Sequence, residues 1–366
     1  MAERLLTLRE LNRATLARQF LLERVEMAPL DMLARLMGMQ AQVHNAPYIG
    51  LWTRLRSFQR AELTRLLELR QVVKAPLMRS TLHLMTTDDF VALRLALQPA
   101  MIAQKLQPFF DARTNGIDRE QFTILLREYL REQPRTSNEL HTRFGEFFPG
   151  LGSGYMKDAI RAHIPLVQVF PSGAWGFTGK PAHSEAATWL GERALAPAES
   201  GQRPLLLRYL AAFGPASVQD MQTWSGLPRL QEVVNALRPE LLTFRDERGR
   251  ELFDLPNAPR PKGESPAPVR FLPDFDNLLF SHANRRRVIT DEYRTVMGNI
   301  RVSSAFLVDG FVRGIWQIKA TRATTTLLLK PFEPLTVQDR QDLLVEGEQL
   351  MRWISGVADS YEIQFN

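Results

Sequence analysis

Apolar positions recur along the chain at helical spacing and then switch to short strand-length runs, and this order of three helices followed by two β runs is met three times. It is clearest in the third copy. An apolar-striped helix begins over residues 205–209 and is stopped by Gly214-Pro215. Ser217-Val218-Gln219-Asp220 has the form of a capping box, opening the helix that carries Met221 and Trp224. After the turn Ser225-Gly226-Leu227-Pro228, the positions Leu230, Val233, Val234 and Leu237 stripe another helix. Apolar runs over 241–244 and 252–255 then flank the polar tip Asp246-Glu247-Arg248-Gly249. The pattern predicts a helix-turn-helix with an appended β-hairpin, a winged helix.

The second copy runs over about 117–178. Ile124, Leu125, Tyr129 and Leu130 stripe its first helix, and Thr136-Ser137-Asn138-Glu139 caps the next. Gly150-Leu151-Gly152-Ser153-Gly154 has no strand before it and no Gly-Lys-Ser/Thr after it, so it reads as a turn before a helix with Met156 and Ile160 rather than as a phosphate loop. Runs over 167–170 and 175–178 around Pro171-Ser172-Gly173 are expected to form its hairpin. In the first copy, Thr7-Leu8-Arg9-Glu10 caps a helix reaching Leu22, with further helices over 30–37, after Pro47, and over 61–69. Strands follow over 72–78 and 81–85 with Arg79-Ser80 at their tip, and Thr86-Thr87-Asp88-Asp89 caps a long connecting helix.

After Pro256 the texture changes to a proline-rich, charged stretch through Pro268, a linker or extended crossing segment. Strand-length runs then occur over 269–272, 304–308, 311–318 and 325–329, with Asp309-Gly310 as a tight turn. A small β-barrel or curved sheet closed by a helix over 337–353 is expected. The fold class is thus mainly α with β. The boundaries are 1–116 and 117–200 for two winged helices, 201–260 for the third, and 261–366 for the linker and C-terminal β-barrel with its helix.

Composition narrows the class. With 366 residues the chain is long enough for several compact units, and 45% apolar with 23% charged residues is globular. The start Met-Ala-Glu-Arg-Leu-Leu lacks signal-peptide anatomy, so a cytoplasmic, nucleoid-associated protein is expected. There is no cysteine, and the six histidines never fall at i, i+3 or i, i+4 spacing, which argues against disulfides and structural zinc. A net charge of +6 and a pI near 9.8 tilt the reading toward a polyanionic partner.

Candidate chemistry centres on Gln40 and Gln42 in Met39-Gln40-Ala41-Gln42. In extended chain, side chains at i and i+2 point the same way, whereas in a continuous helix they diverge by about 200°. The pair therefore suggests a helix terminus with both amides addressing one point. An amide offers an acceptor and two donors but is no strong acid or base, so it can hold water without deprotonating it and suits only an activated substrate. Solvated turn residues are the plainer alternative. Winged helices usually contact duplex DNA through their third helix and wing, although some serve as protein-interaction modules. Ser281-His282-Ala283-Asn284-Arg285-Arg286-Arg287 and Lys319-Ala320-Thr321-Arg322 are basic tips suited to phosphate or to solvent. Asp274 and Asp276 in Leu272-Pro273-Asp274-Phe275-Asp276 are read as setting a turn and pairing with nearby arginines rather than binding metal.

Met39-Gln40-Ala41-Gln42, Arg79-Ser80-Thr81-Leu82-His83-Leu84, Leu272-Pro273-Asp274-Phe275-Asp276 and Val308-Asp309-Gly310-Phe311, in that order, make the chain resemble the bacterial winged-helix DNA glycosylases of the AlkZ/YcaQ type over essentially its whole length. The resemblance implies three tandem winged helices in a C-shape, a C-terminal β-barrel, and hydrolysis of the N-glycosidic bond of N7-alkylated purines, including bases in interstrand crosslinks. The family motif is Gln-x-Gln in one branch and Gln-x-Asp in the other, and Gln40 and Gln42 match the first. Expected DNA contacts are Arg79, Ser80, His83, Arg285, Arg286, Arg287, Lys319 and Arg322. Double-stranded DNA carrying alkylated or crosslinked purines is the expected partner, the enzyme acting as a monomer without cofactor or metal. A winged-helix regulator or architectural protein without catalysis is the alternative.

Overall fold

Thr7 and Glu10 form a reciprocal capping box that starts the helix Leu8–Arg18, as the sequence pattern predicts, although the helix ends four residues before Leu22. The computed structural model describes residues 4–105, 119–147, 160, 164–191, 193, 195–299, 304–320, 324–355 and 361–366. The glycine-rich turn at 150–154 and most of the helix expected after it lie outside the described residues.

The strands in chain order are β1 (Arg4–Leu6), β2 (Met39–Gln40), β3 (Val72–Pro76), β4 (Leu82–Thr86), β5 (Arg135–Thr136), β6 (Leu166–Gln168), β7 (Ala182–Glu185), β8 (Leu242–Asp246) and β9 (Glu251–Asp254). They are followed by β10 (Arg270–Leu272), β11 (Ser304–Val308), β12 (Phe311–Ala320), β13 (Thr325–Pro331) and β14 (Tyr361–Phe365). Three sheets result among the described residues. The first is six-stranded in the order β2-β4-β3-β6-β7-β5, so the hairpins of the first two units are joined edge to edge where Lys74 pairs with Gln168. The hairpin β8–β9 acquires β1 from the chain's start as a parallel neighbour. Pairing of this kind covers strand edges that would otherwise be open to association.

The helices before the first hairpin are Leu8–Arg18, Pro29–Arg35, Ala46–Trp52 and Arg60–Glu68, close to the expected positions. The long connecting helix is instead divided into Thr87–Leu93 and Gln98–Lys105, with the Thr86 cap in place. The third unit follows its pattern closely: Ala198–Phe213, then Val218–Ser225 behind the Ser217–Asp220 capping box, then Gln231–Leu237 and the hairpin.

Two expectations need correction. The partner of β6 is β7, not residues 175–178. Trp175 lies edge-on to Tyr48 at 5.5 Å and to Trp353 at 5.4 Å, with the Arg60 guanidinium 4.8 Å from its ring, so burial against other units takes this segment out of the hairpin. The C-terminal unit is a five-stranded sheet, β10-β11-β12-β13-β14, and its first and last strands are not bonded to each other among the described residues. The helix Val337–Ser355 packs against both edge strands, and its Leu343, Leu350 and Met351 share a core with Phe271, Leu327 and Leu329, so the helix covers a face that a closed barrel would turn inward. The last strand, parallel to β13, was not foreseen.

Two cores hold the units together. One joins Leu33, Leu51 and Leu63 of the first unit to Phe271, Trp316 and Leu350 of the last. The other joins Val73 and Met85 of the first hairpin to Leu206, Trp224 and Leu237 of the third unit. The proline-rich segment crosses the Leu8–Arg18 helix, whose Arg9, Arg13 and Arg18 donate to the carbonyls of Gly263, Ser265 and Pro259. Arg18 also forms a buried bidentate pair with Asp254 at 2.7 and 2.8 Å. The motif-bearing segments of the first and last units are thereby brought side by side.

Candidate active site

The helix Pro29–Arg35 is stopped by two residues in left-handed conformation, Met37 (φ 60) and Gly38 (φ 78). Gly38 is required twice over, because of its positive φ and because a Cβ there would come within 2.7 Å of the Leu84 carbonyl. The chain then runs extended as β2, with Met39 opposite Leu84, Gln40 opposite His83, and the Ala41 amide on the Leu82 carbonyl at 2.7 Å. The expected helix terminus is therefore present. Gln40 and Gln42 lie on the same side, and Gln40 Nε2 donates to Gln42 Oε1 at 2.5 Å. Gln40 is buried and Gln42 exposed, so one amide is fixed by protein and the other faces outward.

Arg79 supports the inner glutamine. It sits at the tip of the β3–β4 hairpin with φ 54, donates to the Trp224 carbonyl at 2.9 Å, and reaches Gln40 Oε1 at 3.4 Å. Trp224 stands near the C-terminus of the helix Val218–Ser225, where carbonyls lack helical partners and attract a cation. Burial, with a smaller contribution from Arg285, lowers the Arg79 guanidinium to about 10, which leaves it charged at neutral pH. Each glutamine carbonyl keeps a lone pair for a further donor.

The loop Pro273–Asp276 of the last unit clamps the same hinge. Asp276 accepts both arms of Arg54 at 2.9 Å, both side chains being essentially buried, and Arg54 also donates to the carbonyls of Gly50 and Gln19. Asn277 donates to the Gly38 carbonyl at 2.8 Å. This agrees with the reading of Asp276 as an arginine partner. Asp274 instead lines a cleft of about 730 Å³ together with Val43, Asn45, Trp316 and Lys330. It also borders the small space beside Gln40. Burial raises its carboxyl above the usual range, opposed by hydrogen bonds from Ser304. The cleft is thus shared between the segment just after Gln42, through Val43 and Asn45, and strands β11, β12 and β13 of the last unit, a juxtaposition that spacing alone did not suggest.

The expected DNA contacts separate in space. Arg285 lies near enough to Arg79 to influence its charge, and its guanidinium stands 4.8 Å from the Phe280 ring. Arg286 and Lys319 are exposed, and Arg322 lies outside the described residues. Ser80 is half-buried in the left-handed conformation (φ 58) and its hydroxyl has no hydrogen-bond partner among the described residues. Two assignments require correction. His83 is fully buried and lowered to about 3 by burial, then by Arg79, so it is a neutral ring beneath the sheet rather than a phosphate contact. Arg287 is buried with its guanidinium on the Pro215 carbonyl at 3.0 Å and in the field of Asp220, which makes it a joint between units. A groove beside it, bordered by Arg248, Arg250, Arg286 and Arg294 together with Glu251 and Asp291, adds three exposed arginines to Arg286, which alone of the four was an expected DNA contact.

Comparison with known proteins agrees with this arrangement. A family model described as DNA glycosylase AlkZ-like matches residues 33–353. The interstrand DNA cross-link repair glycosylase of Streptomyces sahachiroi is 26% identical over an alignment 338 positions long that covers 82% of this chain and 85% of the relative. The solved structure of the Streptomyces sahachiroi DNA glycosylase AlkZ superposes with a TM-score of 0.80 over 99% of this chain and 100% of the other, at 20% identity, a likeness of fold. The matched residues include the paired glutamines, the hairpin that holds them and the loop that clamps them, and on this evidence the chain belongs to the AlkZ-like DNA glycosylase family.

Proposed function

We propose that the protein hydrolyses the N-glycosidic bond of N7-alkylated purines in double-stranded DNA, with Gln40 and Gln42 as its catalytic pair. The observation that carries this reading is the hydrogen-bonded amide pair, anchored by Arg79 and exposed at Gln42, whose sequence neighbour Val43 lines a large cleft. An alkyl group at guanine N7 makes the purine cationic, so the base departs without a strong acid. The remaining work is to hold water near C1′ and to stabilise an oxocarbenium, which oriented amide dipoles do without changing protonation state. Gln42 Oε1 has a free lone pair for a proton of that water, and Gln40 fixes its direction.

That the Streptomyces sahachiroi relative is an interstrand DNA cross-link repair glycosylase supports interstrand crosslinks as substrates here. A base still tethered to the opposite strand cannot swing into a closed pocket, the usual strategy for base chemistry. An amide pair whose outer member is exposed to solvent has no such requirement. We read the three helix-and-hairpin units as winged helices arranged along the duplex, the protein acting as a monomer. Among the described residues no helix is long and apolar enough to cross a membrane.

The test is incubation with an oligonucleotide carrying one N7-methylguanine, followed by alkaline cleavage. An abasic strand is the expected product, borohydride trapping no covalent complex because no amine nucleophile takes part. Absence of excision from both monoadducted and crosslinked DNA would refute the reading.

A further inference from the structure

Lys74 on β3 is 1% exposed, under the 171–177 loop: a Cβ on Gly173 would approach its Cδ to 3.3 Å. No carboxylate pairs with it among the described residues, and its side-chain hydrogen-bond partner is His44 Nδ1 at 3.1 Å. A buried ammonium is ordinarily paired with an anion, because leaving it unpaired is costly. Burial lowers Lys74 to about 8, which still leaves it mostly protonated at neutral pH. Burial and the Lys74 charge together hold His44 below the usual range, so its ring stays neutral. With Nδ1 accepting from the ammonium, the ring proton resides on Nε2. That nitrogen has no partner among the described residues, on a half-buried ring two positions beyond Gln42 and edge-on to Phe177 at 5.2 Å.

We propose that His44 Nε2–H, with the Lys74 ammonium behind it, forms a site for a backbone phosphate of the lesion-bearing strand beside Gln42. His44 makes the contact, and Lys74 fixes its tautomer and supplies the charge. The chemistry selects phosphate. The alkylated purine and the developing sugar cation are both positive, so a fixed ammonium opposes either and belongs on the phosphate side of the nucleotide. A neutral imidazole adds a donor there without adding a second positive charge. A phosphodiester provides the anion that the protein itself does not provide to Lys74. This inference rests on the reading that the strand passes along Gln40 and Gln42.

The test uses the full chain with Lys74→Met, His44→Ala and His44→Gln, measuring thermal unfolding and the salt dependence of binding to undamaged duplex. Lys74→Met is expected to melt higher than wild type, since an unpaired buried charge is removed, yet to bind more weakly. The slope of log affinity against log salt should become shallower by about one phosphate contact. His44→Ala should weaken binding, and His44→Gln, which keeps a donor where Nε2 lies, should recover most of it. A Lys74→Met protein that melts lower and keeps the wild-type salt slope would overturn the proposal and make Lys74 a structural residue. Binding to undamaged duplex needs no excision, so a wild type that excises nothing defeats the glycosylase reading while these slopes still decide the phosphate site.

Discussion

Gln40 donates its side-chain amide to Gln42 Oε1 at 2.5 Å, and this bond determines which atoms of the pair remain for substrate. Each carbonyl already accepts one bond, the inner from Arg79 and the outer from Gln40, and because only Gln42 is exposed it is the outer glutamine that presents an acceptor. Gln40→Ala and Gln42→Ala are each expected to lower single-turnover excision of N7-methylguanine by on the order of 10²-fold or more while sparing duplex affinity. Equal rates in both variants and wild type would remove the pair from the mechanism, and uracil, an uncharged lesion, should resist the wild type.

Arg79 is expected to act through Gln40, whose carbonyl it reaches at 3.4 Å. Its guanidinium is anchored on the Trp224 carbonyl, so Arg79→Met should let the inner amide rotate without removing a surface charge. Single-turnover excision is expected to fall roughly tenfold to a hundredfold, the range over which misplacement of a catalytic group operates. The salt slope of binding should stay at its wild-type value. A shallower slope would return Arg79 to the DNA-contact class.

The three consecutive arginines divide by burial. Arg286 is exposed in the basic groove and paired with Asp291, so Arg286→Ala should weaken duplex binding severalfold without lowering the melting temperature. Arg287→Ala should lower stability by about 1–3 kcal/mol, because the Pro215 carbonyl and Thr15 lose a buried donor. Denaturant titration alongside anisotropy separates the two. If Arg287→Ala is as stable as wild type and only binding suffers, its placement as a joint is wrong.

Asp276→Ala should be among the more damaging single changes outside the glutamine pair. It strips the buried Arg54 guanidinium of two carboxylate bonds and leaves the charge uncompensated, at an expected cost of about 3–5 kcal/mol. Because the same loop carries Asn277 onto the Gly38 carbonyl, excision by the surviving folded protein should fall as well. Urea unfolding with a wild-type midpoint would show that the clamp contributes little.

Lys74 gives a pH signature with a defined sign. Its folded value of about 8 lies below the ordinary 10.5, so between these the unfolded chain binds the proton more tightly than the native one. Stability attributable to this residue is then fully present above 10.5 and is lost as pH falls toward 8, an amplitude on the order of 3 kcal/mol. His44 is the titratable group that faces it, and it is neutral throughout this window. The quantity to measure is wild type minus Lys74→Met, which cancels the other groups titrating there. A flat difference from pH 7.5 to 10.5 would contradict the burial of this charge.

The amino-acid sequence by itself determined what depends on short-range physics. Capping boxes at Thr7 and Ser217, the stop at Gly214, the turn at Asp309-Gly310 and the glutamine pair at a helix end all follow from neighbours within a few residues. Sequence also carried an unused signal, since Tyr361, Ile363 and Phe365 alternate as a strand does. What it lacked was the partner, because pairing with β13 joins residues 36 positions apart, Thr325 with Tyr361. Burial was likewise undecided along the chain. Arg285, Arg286 and Arg287 are identical in composition, and only packing against Pro215 and Thr15 takes the last of them out of solvent. Trp175 leaves its expected strand because Tyr48 and Trp353 offer it a buried surface from distant units. The site follows the same division: extended backbone aims Gln40 and Gln42 together, but Arg79, Asp276 and Lys74 reach that hinge only through long-range sheet pairing and domain packing, which local propensity does not encode.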